Sequence, residues 1–127
     1  MSTEEPDAAT TFKAFKGAVN MPAKALTAWL ATDESKEVGF KAREGEESTG
    51  HKSGKKIVTL LDKTQLRFTS ADSAHARKVV GYIHRHLAQR PDDDVSETQW
   101  RYSLMNRGHD PQKDKSRRQL AVLLGAA

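Results

Sequence analysis

The sequence predicts an all-α fold: one small helical domain of about five helices with a long Gly-rich polar loop. Three observations predict it. Apolar residues recur at helical spacing in five segments between Phe12 and Met105. No segment sustains the apolar–polar alternation of a half-buried strand. Residues that start and stop helices stand at the edges of those segments. A chain of 127 residues with 36% hydrophobic content is expected to form one domain around a modest core.

Residues 1–9, with three carboxylates, read as a disordered acidic tail. The helical domain is expected over 10–111. Phe12, Phe15 and Val19 fall at i, i+3 and i+7, with Lys13 and Lys16 outward. Asn20 ends that helix, and Pro22 suits the first turn of the next, which buries Leu26, Trp29 and Leu30. From Thr32 to Lys56 the chain is polar and punctuated by Gly39, Gly45, Gly50 and Gly54. This reads as a loop with one helical turn around Asp33–Val38. Ile57, Val58, Leu60 and Leu61 form a third stripe, with Lys52, Lys56 and Lys63 on another face. Thr69-Ser70-Ala71-Asp72 is a capping-box pattern that opens the longest helix, expected from Ser70 to Gln89 and stopped by Pro91. Its apolar face is Ala76, Val79, Tyr82, Ile83 and Leu87. Ser96 is the expected N-cap of the last helix, with Gln99 three residues on. Trp100 and Leu104 point to the core, and Gly108 takes the C′ position. Residues 112–127 form a basic and then apolar tail, ending in Leu120–Leu124 and small residues.

Composition excludes several classes. The absence of cysteine removes disulfides, Cys-ligated metals and Cys nucleophiles. The longest apolar run is far short of the roughly 20 residues of a membrane span, and the acidic N-terminus carries no secretory signal. A soluble, cytoplasmic protein is expected, nucleoid-associated in a bacterium.

The net charge of +4 is unevenly spread. Residues 51–90 hold nine Lys or Arg against two Asp, together with four of the five histidines, while residues 32–50 and 91–100 are acidic. A concentrated basic block points to an anionic partner. Two constellations stand within it. On the long helix, Arg77, Lys78, Gly81, His84 and Arg85 lie opposite the apolar face, with Arg90 following. Such a face can reach phosphates or guanine edges, and a mid-helix glycine lets a backbone approach. The alternative is a solvated face on which Gly81 admits a neighbouring helix. The second constellation runs from Glu47 to Lys56, just before a helix. Free N–H groups at a helix start, hydroxyls such as Ser53 and the lysines Lys52, Lys55 and Lys56 make an anion site. Gly45 and Gly50 have the spacing of a phosphate-binding loop. However, His51 intrudes before Lys52-Ser53, and no strand precedes, so nucleotide hydrolysis is not expected.

The histidines do not form a metal set. His84 and His86 lie on different helix faces, His75 and His86 flank the apolar face, and His109 suits local turn bonds with Asp110. No metal, no cofactor and no enzymatic activity are expected, because no catalytic motif survives its structural context.

Val19-Asn20-Met21, Trp29-Leu30, Gly50-His51-Lys52-Ser53-Gly54, Lys78-Val79-Val80-Gly81-Tyr82, Arg85 to Pro91, Trp100 to Asn106 and Gly108-His109-Asp110-Pro111 together resemble a family of small bacterial and fungal proteins. That family is classed as a domain of unknown function. The resemblance covers about residues 12–111. The resemblance implies little mechanism, although some members carry a DNA-binding label. Arg107 stands where the pattern has tryptophan.

The functional expectation is a small basic protein that binds nucleic acid through electrostatic backbone contacts, with duplex DNA expected and RNA as the alternative polymer. Trp29, Tyr82 and Trp100 all fall on apolar faces, whereas single-strand binders need exposed stacking platforms. The competing expectation is a protein-interaction module. In it the acidic segments neutralise the basic helix, and the C-terminal tail docks a partner or a second copy.

Overall fold

The computed structural model describes residues 7–39, 41, 45–92 and 94–114. Among them there are six α-helices and no strand: α1 (Ala8–Ala18), α2 (Ala23–Leu30), α3 (Asp33–Glu37), α4 (Thr49–Leu61), α5 (Ser70–Leu87) and α6 (Gln99–Asn106). Two 3-10 turns, Gln65–Arg67 and Pro111–Asp114, complete the list. The expected tail of Lys115 to Ala127, including Leu120–Leu124, lies outside the described residues.

Five of the six helices begin on a side-chain cap. Asp7, Thr32, Ser48, Thr69 and Thr98 each accept a backbone N–H of the first turn, and Pro22 opens α2 without one. Each such cap stabilises its helix by about 1 kcal/mol. The capping box on α5 forms as the sequence predicts, with Thr69 and Asp72 bonded reciprocally.

Three boundaries differ from expectation. Helix α1 takes in Ala8 and Ala9, capped by Asp7, which accepts from Thr10 N at 2.7 Å. The last helix is capped by Thr98, not Ser96. The Ser96 N–H is held by Asp94 Oδ1 at 2.9 Å, and its carbonyl accepts from Arg101 Nη1 at 2.7 Å, so Ser96 sits in the preceding turn. The largest difference is α4, which starts at Thr49, well before the apolar stripe at Ile57. Gly50 and Gly54 therefore lie inside a helix. Gly54 is there for contact. A Cβ at this position would stand 2.5 Å from the Asn106 carbonyl oxygen and 2.7 Å from Leu30 Cδ2. The long loop shrinks accordingly, with α3 as its helical turn.

One core joins the helices. Phe15, Leu26, Ile57, Ile83 and Leu104 are fully buried in it. Helix α1 packs along α5, α2 along α4, and α6 meets α2, α3, α4 and α5. Asn106, at the end of α6, ties this centre together. Its Oδ1 accepts from Trp29 Nε1 at 2.7 Å and from the Ser35 hydroxyl, and its Nδ2 donates to the Ser35 carbonyl at 3.1 Å.

The segment after α6 folds back on the α1–α2 corner. Gly108 has φ +83°, and a Cβ there would lie 2.8 Å from Val19 Cγ1, so both conformation and space require glycine. His109 and Asp110 make the expected local bonds, His109 N–H to the Leu104 carbonyl at 3.0 Å and Gln112 N–H to Asp110 Oδ1 at 3.0 Å, and the buried His109 adds a long-range one, its Nδ1 donating to the Ala18 carbonyl at 2.7 Å. Asn20 and Asp110 exchange two bonds, at 3.0 and 2.7 Å. His51, expected in a loop, is also buried: its Nε2 donates to the Leu30 carbonyl at 2.8 Å, and its Nδ1 faces Glu47.

Candidate anion-binding cleft

Helices α4 and α5 diverge around an open cleft of about 530 Å³, within the range of small-molecule sites. Thr49, Lys52, Ser53 and Lys56 line it from α4. His75, Lys78, Val79, Tyr82 and Arg85 line it from α5, and Arg107 enters beyond the end of α6. The lining holds five Lys or Arg and no carboxylate. Ion pairs form elsewhere: Glu47 with Lys55 at 2.8 Å, Lys63 with Asp72 at 2.7 Å, and Arg101 with Asp110 at 3.0 Å. Among the described residues, no carboxylate lies within ion-pair distance of the five cations of the cleft.

The cleft has a rim and a floor. Lys52, Lys56, Lys78 and Arg85 are exposed and form the rim, while Ser53, His75, Tyr82 and Arg107 are half-buried below them. Ser53 Oγ and His75 Nε2 are hydrogen-bonded at 3.1 Å across the two helices. Burial holds His75 below its ordinary value of 6.5, and Lys56, Lys78 and Arg107 push the same way against the bond to Ser53. Arg107 lies over Tyr82, with Cζ 3.6 Å from the ring centroid. Burial lowers the Arg107 pKa from its ordinary value, and Tyr82 opposes that shift. Gly50 makes room for this guanidinium, because a Cβ there would stand 2.6 Å from Arg107 Nη1.

From Tyr82 a stack continues away from the cleft. Tyr82 and His86 are 5.1 Å apart at 17°, His86 and Trp100 are 5.7 Å apart at 13°, and Arg90 lies over Trp100 at 5.3 Å. His86 Nε2 donates to the Trp100 carbonyl at 3.1 Å, while Trp100 Nε1 donates to the His86 carbonyl at 2.9 Å. The rings of Tyr82 and Trp100 are thus engaged in holding α5 against α6.

The structure brings together Lys52, Ser53 and Lys56 with Lys78 and Arg85, two groups that the sequence reading kept separate. It does not bring Lys55, Arg77, His84 or Arg90 to the cleft. Lys55 faces Glu47 beside Lys36 and His51, and Arg90 covers Trp100. At 100° per residue, Arg77 and His84 lie about a quarter to a third of a turn beyond Lys78 and Arg85. Gly81 borders Arg85: a Cβ there would meet Arg85 Nη1 at 3.0 Å, with no other helix near. It therefore does not serve helix packing. The helix start expected after Lys56 lies earlier in the same stretch. The helix start is Ser48, whose hydroxyl takes the His51 N–H at 3.1 Å and whose carbonyl takes the Lys52 N–H at 3.1 Å. Lys52, Ser53 and Lys56 act as side chains on a helix face. His75 and Arg107 are the site residues that the sequence reading missed. No local signal marks either one: His75 reads as a residue flanking the apolar face of α5, and Arg107 lies beyond the end of α6.

Among the described residues, no helix is long and apolar enough to cross a membrane. The model of a family described as "Protein of unknown function (DUF3140)" matches residues 14–105, which contain every α4 and α5 residue of the cleft and stop short of Arg107. No curated protein and no solved structure matches the chain.

Proposed function

Because the chain belongs to the DUF3140 family of proteins of unknown function, its role has to be read from its own surface, and we propose that it is a small nucleic-acid-binding protein that holds the phosphate backbone of duplex DNA at the α4–α5 cleft. One observation carries the reading: five cations converge on one cleft without a carboxylate among them. Like charges held this close repel, and a polyanion relieves that repulsion while releasing its own counterions. The aromatic side chains support backbone contact over base stacking. Tyr82 and Trp100 are engaged in the stack between α5 and α6 and present no platform to a single strand. Binding is therefore electrostatic, tolerant of sequence and without catalysis. The protein works where nucleic acid is, in the cytoplasm.

The competing reading, a protein-interaction module, required the acidic segments to neutralise the basic helix. Among the described residues, Glu47, Asp72 and Asp110 pair with Lys55, Lys63 and Arg101, and none pairs with the rim residues Lys52, Lys56, Lys78 and Arg85.

The test is a titration against a random fluorescent duplex at about 50 and 200 mM salt, with an RNA duplex in parallel. Micromolar or tighter binding at the lower salt that collapses at the higher is the expected result. Absence of binding at the lower salt overturns the proposal.

A further inference from the structure

The rim and the floor of the cleft have different chemistry. Rim lysines on flexible stems meet whatever phosphate passes over them. At the floor, Arg107 is half-buried and held over Tyr82, 3.6 Å from ring centroid to Cζ, with its guanidinium in the space that Gly50 leaves. A guanidinium held away from water without a carboxylate is costly unless an anion completes it, and its planar fork suits phosphate oxygens. The Ser53 hydroxyl and the His75 ring, joined at 3.1 Å, add two polar groups at the same depth. We propose that the floor of the cleft binds one phosphate monoester, with Arg107 as its anchor and Ser53 and His75 as its polar wall. An internal diester of a duplex is flanked by sugars on both sides and carries one charge. A monoester projects freely, carries close to two charges at neutral pH and offers three acceptor oxygens. Only the monoester can follow the cleft inward to a half-buried arginine. The ligand is a terminal phosphate of a nucleic acid or a small phosphorylated molecule. The inference rests on this cleft being the anion site, and not on the ligand being a duplex.

His75 is the reporter. It faces Ser53 and Lys56 from α4, Lys78 on its own helix, and Arg107, with Asp72, paired to Lys63, across the adjoining cavity, and an anion among these cations favours its protonated form. The full chain is titrated with inorganic phosphate at constant ionic strength, made up with chloride, while the His75 Cε1 proton is followed from pH 5 to 8. Phosphate should raise the His75 midpoint by about one unit, which is a tenfold coupling between proton and anion. Arg107→Gln should abolish the shift. Lys56→Gln, at an exposed site that leaves the fold intact, should reduce phosphate affinity severalfold. A second arm compares one duplex with and without 5′-phosphates. A preference of about tenfold for the phosphorylated ends identifies the ligand as a nucleic-acid terminus. Equal affinities together with a His75 response identify it as a small phosphorylated molecule. A His75 midpoint unmoved by phosphate overturns the inference, even where both duplexes bind. A response to phosphate without any duplex binding sustains it and removes the DNA reading instead. A response undiminished in both variants overturns the assignment of the floor.

Discussion

The triple variant Lys52→Gln, Lys56→Gln, Lys78→Gln removes three of the five cleft cations from exposed rim positions. The logarithm of affinity falls with the logarithm of salt at a slope of about 0.9 per phosphate neutralised. If each of the four rim cations meets one phosphate, the wild-type slope is about −3.6, and affinity drops about 150-fold between about 50 and 200 mM salt. With Arg85 alone left on the rim the slope is about −0.9, and the same change in salt costs about 3.5-fold. Fluorescence anisotropy at four or five salt concentrations measures both slopes. The lysines are exposed and pair with no carboxylate among the described residues, so chemical unfolding should show a stability within about 0.5 kcal/mol of the wild type. A triple variant that folds normally and keeps the wild-type slope would refute the reasoning, because contact would then be made by cations elsewhere.

Single alanine variants separate the two sides of α5: Arg85→Ala should reduce the slope by about one, whereas Arg77→Ala, outside the cleft, should leave it unchanged in the same anisotropy series. Gly54→Ala should cost about 2 kcal/mol net in urea unfolding, because a Cβ meets the Asn106 carbonyl at 2.5 Å. Gly17→Ala, with open space around it, should stabilise by about 0.5–1 kcal/mol. Stability should also fall in two steps as pH decreases from 8. Burial holds His75 and His86 below 6.5, so the unfolded chain binds more protons there, and stability declines as pH drops below about 7 and levels off beneath their folded values. Lys55 and His51 hold Glu47, and Lys63 holds Asp72, below their ordinary values. At Asp110, burial works upward but is overridden by Arg101. The stability these three carboxylates contribute is lost in the second step, below about pH 4.5. Urea unfolding that is flat from pH 7.5 to 5.5 would contradict the histidine assignment.

The helices that were legible in the sequence are those whose local chemistry agrees with their packing. Helix α5 has a capping box, a continuous apolar stripe and a proline beyond its end, and α6 is followed by a glycine at positive φ. Helix α4 was read as beginning too late. Gly50 and Gly54 have poor helix propensity and look like loop punctuation. Their reason lies far away in sequence, at Leu30, Asn106 and Arg107. The helix start also decides which way each residue of Gly50 to Lys56 faces. With the helix begun at Thr49, neighbouring lysines differ by 100° in direction. Lys52 and Lys56 then fall on the cleft while Lys55 turns to Glu47. The residue types of the site were visible, but their convergence was not, because no local signal tells α4 that its neighbour is α5.

The two glycines of Gly50-His51-Lys52-Ser53-Gly54 show how fold and candidate site depend on the same short helix. Gly54 lets α4 lie against the end of α6, which fixes where the chain leaves that helix, and the next residue but two past Met105 is Gly108 with its required turn. Arg107 is thereby delivered beneath α4, and Gly50, one helical turn before Gly54, leaves the space its guanidinium occupies. His51 between them fastens the same helix to the end of α2 through the Leu30 carbonyl. Side chains on the remaining faces, Lys52, Ser53 and Lys56, are free to look outward at α5. A larger residue at 54 would displace the helix, whereas one at 50 would displace only a flexible guanidinium. Position 54 therefore governs folding, and position 50 governs what the floor of the cleft can hold.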